Sequence, residues 1–292
     1  MIQTSILSGK EVSESVYSSL RLRINSLSNC GTIPGLAVVL VGNNPASQVY
    51  VKSKTRIFEK LNLYTKTIKL ESEVSEKKLL ELICEINGDE KFHGILVQLP
   101  LPKHINANKV INAINPKKDV DGFHPENAGL LTIGSPRFIP CTPKGIMRML
   151  QHYNINLNKK HIVVIGRSNI VGRPISILTS LKSDGSNGTT TICHSGTPDI
   201  QSYTSNADVI IAALGIPKFL KGNMIKKNAI VVDVGINRVD DNSKKGYSLV
   251  GDIDWDEING KASFVSPVPG GVGPMTIAML VENTVEACEQ AK

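Results

Sequence analysis

The sequence predicts an α/β fold with parallel sheets, organised in two domains. Apolar segments of strand length alternate with segments of helical spacing along the whole 292-residue chain. Several apolar segments end in glycine, which is typical of parallel strands whose backbone approaches a ligand. The length suffices for two domains with sizeable cores.

Composition indicates a globular protein without membrane or secretory signals. The chain is 41% hydrophobic and 20% charged, and no apolar run approaches the length of a membrane span. The first residues show no signal-peptide pattern. The five cysteines are scattered and form no CxxC pair, so we expect free thiols in a reducing cytoplasm. We expect no metal site.

The net charge of +7 is spread along the chain rather than clustered. Aromatic residues make up only 4% of the sequence, which is too few for a surface that stacks bases. We therefore expect an enzyme with anionic small-molecule substrates, and we expect neither nucleic acid nor a membrane as a partner.

The first candidate site residue is a lysine in a helix that follows the strand Leu36–Gly42. An Asn-Asn-Pro turn predicts that this helix begins near Ala46. At about 100° per residue, Lys54 falls in the middle of an apolar stripe that includes Tyr50 and Phe58. An ammonium group placed there loses hydration, which is one sign of a functional lysine. From the helix alone, however, a side chain whose stem packs while its charge reaches water is the favoured interpretation.

Three more polar candidates follow. A continuous apolar strand is predicted over Gly94–Pro102, and Gln98 lies near its end, where ligands gather in parallel sheets. A ligand contact and a glutamine satisfied by loop backbone are equally good interpretations. Asp119 and Asp121 lie in a turn-rich segment, where an ordinary Asp-Gly turn competes with a carboxylate that faces a polar heterocycle.

A second unit begins after the polar segment Asn154–Lys160. A strand at Ile162–Ile165 leads through Gly166 into a helix that begins near Val171. In this context a helix N-terminus receives a pyrophosphate. The next strand, Thr189–Cys193, ends without the acidic residue that usually holds the ribose hydroxyls of NAD.

A 2′-phosphate fits this site better than a free ribose. Ser195 follows the second strand and Arg167 lies in the first turn, and a hydroxyl and a guanidinium both suit a phosphate. NADP is therefore predicted rather than NAD. The connection Lys182–Gly188 is long, and it could reshape the adenosine end of the site.

A glycine-rich segment precedes the last helix. Pro269–Gly273 belongs to the run Pro-Gly-Gly-Val-Gly-Pro, which we predict to be non-helical, with a helix from Pro274 to Gln290. A plain connector is one interpretation, and a backbone frame for a ligand is the other.

Taken together, these segments resemble one family. In chain order they read SQVYVKSK, GILVQLPLP, KDVDGFHPENAG, IPCTPKG, GRSNIVGRP, CHS, VDVGIN and PVPGGVGPMT. Eight motifs in this order are similar to those of the bifunctional methylenetetrahydrofolate dehydrogenase/methenyltetrahydrofolate cyclohydrolases, the FolD family. The resemblance implies NADP-dependent oxidation of 5,10-methylenetetrahydrofolate, followed by hydrolysis of the methenyl product to 10-formyltetrahydrofolate.

The resemblance also implies an architecture. It predicts an N-terminal α/β catalytic domain that binds folate over residues 1–143, completed by the C-terminal helix at 274–292. It predicts a Rossmann-type, NADP-binding domain with a parallel sheet over residues 144–273. Folate and NADP are expected to meet in the cleft between the two, and the family implies a homodimer.

The functional positions of the family fall on residues of this sequence. The catalytic candidates are Lys54, which matches the residue that carries hydrolysis, with Gln98, Asp121 and Tyr50. The expected folate contacts are Tyr50, Val51, Lys52, Ser53, Lys54, Val97, Gln98, Leu99, Asp121, Pro269, Gly270, Gly271, Val272 and Gly273. The expected NADP contacts are Gly166, Arg167, Ser168, Ser195 and Ile236.

Three other functions are alternatives. A cyclohydrolase with a degraded dinucleotide site is disfavoured by the intact GRSNIVGRP motif. A dehydrogenase that acts on an unrelated acid would leave Tyr50, Lys54 and the glycine-rich segment unexplained. A non-enzymatic basic binding protein is disfavoured by the scattered charge.

Overall fold

The computed structural model describes residues 3–241 and 246–291. The chain divides into two compact units, and each is made of two segments. Unit 1 comprises Met1–Ser15 and Thr142–Thr276, and unit 2 comprises Val16–Cys141 and Ile277–Lys292.

The strands are β1 (Ser5–Ile6), β2 (Gly35–Val41), β3 (Tyr64–Leu70), β4 (Gly94–Val97), β5 (His161–Ile165), β6 (Thr189–Cys193), β7 (Val209–Ala212), β8 (Ile230–Asp233), β9 (Asn237–Asp240), β10 (Tyr247–Val250) and β11 (Phe264–Val265). The helices are α1 (Gly9–Asn29), α2 (Pro45–Lys60), α3 (Glu76–Gly88), α4 (Ala107–Ala113), α5 (Pro125–Thr132), α6 (Cys141–His152), α7 (Gly172–Ser180), α8 (Ile200–Thr204), α9 (Trp255–Ile258) and α10 (Val272–Gln290). A short 3-10 helix spans Gly222–Met224.

Unit 2 contains a three-stranded parallel sheet in the order β3-β2-β4. The central strand β2 is buried along its whole length, as a parallel strand covered on both faces should be. In the register of the sheet, Val38 lies opposite Thr67 on one side and Leu96 on the other. Helix α3 packs Leu79 and Ile83 into the same core.

Strand β4 is shorter than the apolar pattern predicted. It ends at Val97, whereas the predicted strand continued to Pro102. Pro100 and Pro102 have no backbone N–H, so the hydrogen-bond ladder cannot extend through them. The early end turns the next residue, Gln98, out of the strand.

Unit 1 contains a six-stranded, all-parallel sheet in the order β1-β11-β8-β7-β5-β6. Val163 of β5 lies opposite Thr191 and Ile210. The first residues of the chain belong to this unit because β1 pairs with β11, and the Leu7 amide donates to the Val265 carbonyl at 2.9 Å. The predicted class, α/β with a parallel-sheet dinucleotide-type domain, is confirmed.

Helix α10 begins earlier than predicted. Its first residue is Val272, so Val272, Gly273 and Pro274 are helical although the glycine-rich run was expected to exclude them. Pro274 is the third residue of the helix, where a backbone N–H has no acceptor within the helix, so a proline is tolerated there. The loop proper is confined to the residues before Val272.

Of the helices in residues 3–241 and 246–291, none combines the length and apolar character needed to cross a membrane.

Candidate active site

Helix α2 carries the lysine that the sequence singled out. The Asn44 side chain caps the helix and accepts the Ser47 amide at 3.0 Å. Val51 and Phe58 are buried beneath the helix. Lys54 is only partly buried, so α2 holds its ammonium group at the margin of the core of unit 2.

The other predicted folate contacts on α2 differ in exposure. Tyr50 is 38% exposed, and burial of the rest of the side chain raises the pKa of its hydroxyl. Lys52 is exposed, and Val51 is 4% exposed and so contributes mainly to the core. The Ser53 hydroxyl donates to the Val49 carbonyl at 2.9 Å, within the helix. Tyr50 and Lys52 are therefore the exposed members of this group, and Tyr50 alone of the two offers a ring on which a planar ligand can pack.

Gln98 is held at three points directly after β4. Its backbone amide donates to the Val39 carbonyl at 2.9 Å, and its Nε2 donates to the Leu99 carbonyl at 2.7 Å. Its Oε1 accepts a hydrogen bond from Lys54 Nζ at 3.1 Å. Both interpretations of Gln98 thus apply, because loop backbone satisfies its nitrogen and the site lysine satisfies its oxygen. Val97, before it, is buried.

The two acids of the turn-rich segment have different roles. Asp119 is 1% exposed, and its Oδ2 accepts hydrogen bonds from the His124 amide and from Asn127 Nδ2, both at 2.8 Å. Burial raises the pKa of Asp119 to about 6 against the effect of these bonds. Asp119 is therefore the structural acid of the turn, and it fixes the reversal of the chain that carries Asp121.

Asp121 is the acid that faces the lysine. Burial raises the pKa of its carboxyl, while the positive charge of Lys54 and a hydrogen bond from Cys141 Sγ at 3.7 Å lower it. Gly122 follows with φ of +73°, and a Cβ on it would lie 2.9 Å from the Pro140 nitrogen. Glycine is thus required at that position for the turn to present Asp121.

Asn283 on α10 supports this turn, and sequence reasoning missed it. The residue is fully buried, and its Nδ2 donates to the carbonyls of Val120 at 2.7 Å and Ile139 at 3.0 Å. Nδ2 also lies 3.7 Å from Cys141 Sγ. An asparagine within an apolar helix was a visible signal. Its partners, however, lie 163 and 144 residues away in the chain, and no local pattern identifies them.

Lys54, Gln98 and Asp121 therefore converge within unit 2 from three separate elements. The lysine can donate or accept a proton, the amide fixes the position of the lysine amine, and the carboxyl can bind a polar ring. This combination suits a reaction on a heterocycle that requires proton transfer.

Unit 1 carries the predicted dinucleotide site at the carboxyl end of β5. Gly166 has φ of +123°, and a Cβ on it would lie 2.2 Å from the Ala213 carbonyl oxygen. Gly172 begins α7, and a Cβ there would lie 2.2 Å from the Gly166 carbonyl oxygen. The turn can close only with two glycines, and the resulting strand-to-helix cradle fits the pyrophosphate of a dinucleotide.

The polar residues predicted to contact NADP lie at the same end of the sheet. Ser168 Oγ accepts the Val171 amide at 3.1 Å and so organises the start of α7. Arg167 and Ser195 are exposed. They follow β5 and β6, which are adjacent parallel strands that end opposite each other.

The long connection Lys182–Gly188 lies at the opposite end of the sheet. The Leu157 amide donates to the Gly185 carbonyl at 3.2 Å, and Asn187 Nδ2 donates to Asn158 Oδ1 at 2.9 Å. The loop thus packs beside the entry to β5, about 13 Å of strand away from the carboxyl ends. The expectation that it reshapes the adenosine end is wrong, because α7 has returned the chain to the amino end of the sheet.

The last predicted NADP contact adjoins the glycine-rich segment within unit 1. Ile236 is 43% exposed, and a Cβ on Gly273 would lie 3.7 Å from Ile236 Cδ1. The segment Pro269–Gly273 is tied to the start of α1, where the Lys10 amide donates to the Gly270 carbonyl at 3.2 Å. In the described part of the chain, no group of three or more His, Cys, Asp or Glu side chains could hold a metal ion.

Two family profiles match the chain. The profile described as "Tetrahydrofolate dehydrogenase/cyclohydrolase, catalytic domain" matches residues 7–121. The profile described as "Tetrahydrofolate dehydrogenase/cyclohydrolase, NAD(P)-binding domain" matches residues 140–292.

Individual relatives agree with the profiles over nearly the full length. The bifunctional protein FolD of Chlorobium limicola is 50% identical over 290 residues, which is 98% of each chain. The structure of the bifunctional FolD methylenetetrahydrofolate dehydrogenase/cyclohydrolase of Campylobacter jejuni is 45% identical, with a TM-score of 0.93 over 99% of this chain and 100% of that one. A Trypanosoma brucei FolD, solved with NADP cofactor and an inhibitor, is 33% identical with a TM-score of 0.95, covering 100% and 99% of the two chains.

Proposed function

The chain belongs to the tetrahydrofolate dehydrogenase/cyclohydrolase family, and from this premise we infer that it carries out two successive reactions. It oxidises 5,10-methylenetetrahydrofolate to 5,10-methenyltetrahydrofolate with NADP, and it hydrolyses the product to 10-formyltetrahydrofolate. The relatives confirm the family, the two activities and the cofactor that the sequence predicted. The cyclohydrolase-only alternative is not favoured, because the NAD(P)-binding profile matches through residue 292.

One observation supports the assignment of the hydrolysis to unit 2: the 3.1 Å hydrogen bond from Lys54 Nζ to Gln98 Oε1. Water that attacks the methenyl carbon must lose a proton, and the Lys54 amine is the group we assign to accept it. Gln98 is anchored through Nε2 to the Leu99 carbonyl, so its oxygen keeps that amine in a fixed position. We assign Asp121 to the pterin and the half-exposed ring of Tyr50 to the aminobenzoyl group.

The oxidation needs orientation more than an acid or a base. When bound, NADP accepts a hydride from the carbon that bridges the two folate nitrogens. We assign the pyrophosphate to the turn from Gly166 to Ser168, and the 2′-phosphate to Arg167 and Ser195. Ile236 supplies an apolar contact to the cofactor.

The remaining family positions are proposed on the resemblance. They are Val51, Lys52, Ser53, Val97, Leu99 and the segment Pro269–Gly273 as further folate contacts. We also propose that folate binding belongs to residues 1–143 with 274–292 and NADP binding to residues 144–273. The protein is proposed to act in the cytoplasm as a homodimer.

The deciding experiment compares Lys54→Ala with Arg56→Ala in assays of each step. Arg56 is exposed on the same helix, so its replacement controls for loss of one positive charge from α2. We expect Lys54→Ala to lower the rate of hydrolysis about 10²- to 10⁴-fold, the usual contribution of a positioned acid or base. NADP-dependent oxidation should persist, so the methenyl compound should accumulate.

Hydrolysis at the wild-type rate in Lys54→Ala would remove Lys54 from the mechanism. The same assays with NAD in place of NADP test the cofactor, and NADP should support the faster oxidation.

A further inference from the structure

Two buried aspartates lie at the carboxyl end of the sheet of unit 1, and neither is among the predicted cofactor contacts. Asp233 is the last residue of β8, and Asp252 lies just after β10. They are 1% and 0% exposed. A buried carboxylate is costly unless it is fully hydrogen-bonded, so its partners indicate what it holds in place.

Asp252 joins two loops that follow neighbouring strands. Its Oδ2 accepts the amides of Leu214 at 2.6 Å and Gly215 at 2.9 Å, just beyond β7. Its Oδ1 accepts Asn237 Nδ2 at 2.9 Å, at the start of β9. All three partners donate hydrogen bonds, two to Oδ2 and one to Oδ1, so both oxygens of the carboxylate are satisfied.

Asp233 in turn fixes the backbone of Asp252. Its Oδ1 accepts the amides of Gly235 at 3.0 Å and Asp252 at 2.9 Å, and its Oδ2 accepts the Ile253 amide at 3.2 Å. The two acids therefore form one assembly, in which Asp233 positions Asp252 and Asp252 reaches β7 and β9.

The glycines of this region leave room for the two carboxylates. A Cβ on Gly235 would lie 2.1 Å from Asp252 Oδ1, and a Cβ on Gly251 would lie 1.7 Å from Asp233 Oδ2. Gly235, the glycine of the VDVGIN motif, is thus required because the Asp252 carboxylate lies too close to its backbone for any side chain.

The residues directly before and after Ile236 in the sequence both contact the Asp252 carboxylate. Gly235 before it packs on the Asp252 carboxylate, and Asn237 after it bonds the same carboxylate. The Ile236 side chain itself is 43% exposed. The result is an exposed apolar side chain on a rigidly held backbone, at the strand ends where ligands of parallel sheets bind.

We propose that Asp252 is a positioning residue for NADP: through Leu214, Gly215 and Asn237 it holds the Ile236 backbone in the conformation that contacts the cofactor. This inference rests on the proposed function, since it takes NADP as the ligand and Ile236 as a contact.

The test is a substitution and its designed rescue, measured as NADP affinity of the full chain by isothermal titration calorimetry. In Asn237→Asp the new carboxylate faces the Asp252 carboxylate, and neither side chain can donate, so the hydrogen bond between Asp252 and β9 is lost whichever way the side chains turn. In the double variant Asn237→Asp with Asp252→Asn, the new amide can accept from β7 and donate to the new carboxylate. The hydrogen-bond pattern is restored without a change in net charge.

We expect Asn237→Asp to raise the Kd for NADP about tenfold, the effect of losing one buried hydrogen bond of ~1.4 kcal/mol. The double variant should return to within about threefold of the wild-type Kd, which is the coupling that a double-mutant cycle detects. Asn259→Asp makes the same chemical change at an exposed position directly after α9 and should bind NADP as the wild type does.

Each possible outcome either supports the proposed role of Asp252 or contradicts it. Equal NADP affinity in wild type and Asn237→Asp would refute the role of Asp252. A weakened single variant that the double variant does not rescue would also refute it, because the hydrogen-bond pattern would not be the cause. If Asn237→Asp does not fold, the double variant alone gives the answer, and a folded double variant without NADP affinity refutes the proposal. A wild type that does not bind NADP would overturn the proposed function itself.

Discussion

Asp119 and Asp121 show how two identical residues, two positions apart, acquire different properties. Asp119 points inward to donors within its own loop, the His124 amide and Asn127 Nδ2. Asp121 is partly exposed and lies under the influence of Lys54. The sequence allowed either acid to be the functional one, and the family resemblance selected Asp121. The structure supplies the physical reason, because the partners of Asp119 already occupy its carboxylate.

The raised pKa of Asp119 predicts a pH dependence of stability. Its pKa is 3.8 in the unfolded chain and about 6 in the folded one. The stabilisation that this group contributes is full below pH 3.8 and is lost as the pH rises through about 6. Asp119→Asn keeps an acceptor oxygen but does not titrate. The unfolding free energy of wild type minus that of the variant should therefore fall by about 2.5 kcal/mol between about pH 4 and pH 8.

Urea titrations of both proteins at a series of pH values measure this difference. Asp184→Asn, in an exposed loop, controls for removal of one carboxylate. A difference that rises with pH would show that the folded state binds the ionised form of Asp119 more favourably than the unfolded state does.

The assignment of Arg167 to the 2′-phosphate predicts a preference for NADP over NAD. Removal of a guanidinium from a phosphate costs about 1.5–3 kcal/mol, so Arg167→Ala should raise the KM for NADP about 10- to 150-fold. The KM for NAD should change little, since NAD lacks the 2′-phosphate. Lys182→Ala is the matched control, because it removes a cation at the amino end of the sheet. An equal rise in both KM values would place Arg167 elsewhere on the cofactor.

Among elements, α10 supports the Lys54 site through contacts between residues that are 163 and 144 positions apart in the chain. Asn283→Ala removes the amide donor from the carbonyls of Val120 and Ile139 and leaves Val120 with the weaker Cys141 thiol at 3.4 Å, so we expect a loss of roughly 2–4 kcal/mol in unfolding free energy. Hydrolysis should slow as well, because Asp121 follows Val120 directly. Gln290→Ala, exposed near the end of the same helix, should be neutral in both measurements. Wild-type stability in Asn283→Ala would mean that water replaces the amide.

The elements also show where sequence patterns are reliable. Strand β6 has the predicted bounds, Thr189–Cys193, since the β-branched residues there follow a clear turn signal. The largest differences between predicted and observed element bounds lie at prolines. Pro100 and Pro102 ended β4 early, whereas Pro274 was accommodated in the first turn of α10. A proline removes one N–H in every case, and whether that matters depends on whether the fold needs that donor.

The site was predictable where its residues are close in sequence to the element that presents them. Lys54 and Gln98 could be found from one helical stripe and one strand end. Asn283 and Asp252 could not, because each acts on backbone groups of other segments. Partners such as Val120 and Leu214 become neighbours only in the folded chain.

At the scale of the whole molecule, the proposed homodimer is open to direct measurement. One chain has a mass of 31.6 kDa, so size-exclusion chromatography with light scattering should give about twice that value. The measurement should be repeated across a dilution series, since a weak dimer would dissociate toward the mass of a single chain. A concentration-independent mass of 31.6 kDa would rule out the dimer.

Neither unit is a continuous stretch of chain, and this affects how the protein is made in the cell. Unit 2 needs both Val16–Cys141 and Ile277–Lys292, and residues such as Val281 and Val285 are fully buried. When residue 141 has left the ribosome, the three-stranded sheet of unit 2 therefore still lacks the part of its core that α10 supplies. The carbonyls of Val120 and Ile139 have no Asn283 donor until the 135 residues of Thr142–Thr276 and the first seven residues of Ile277–Lys292 have also been translated. Lys54, Gln98 and Asp121 are thus translated early, but the site they form is completed only when α10 has been translated.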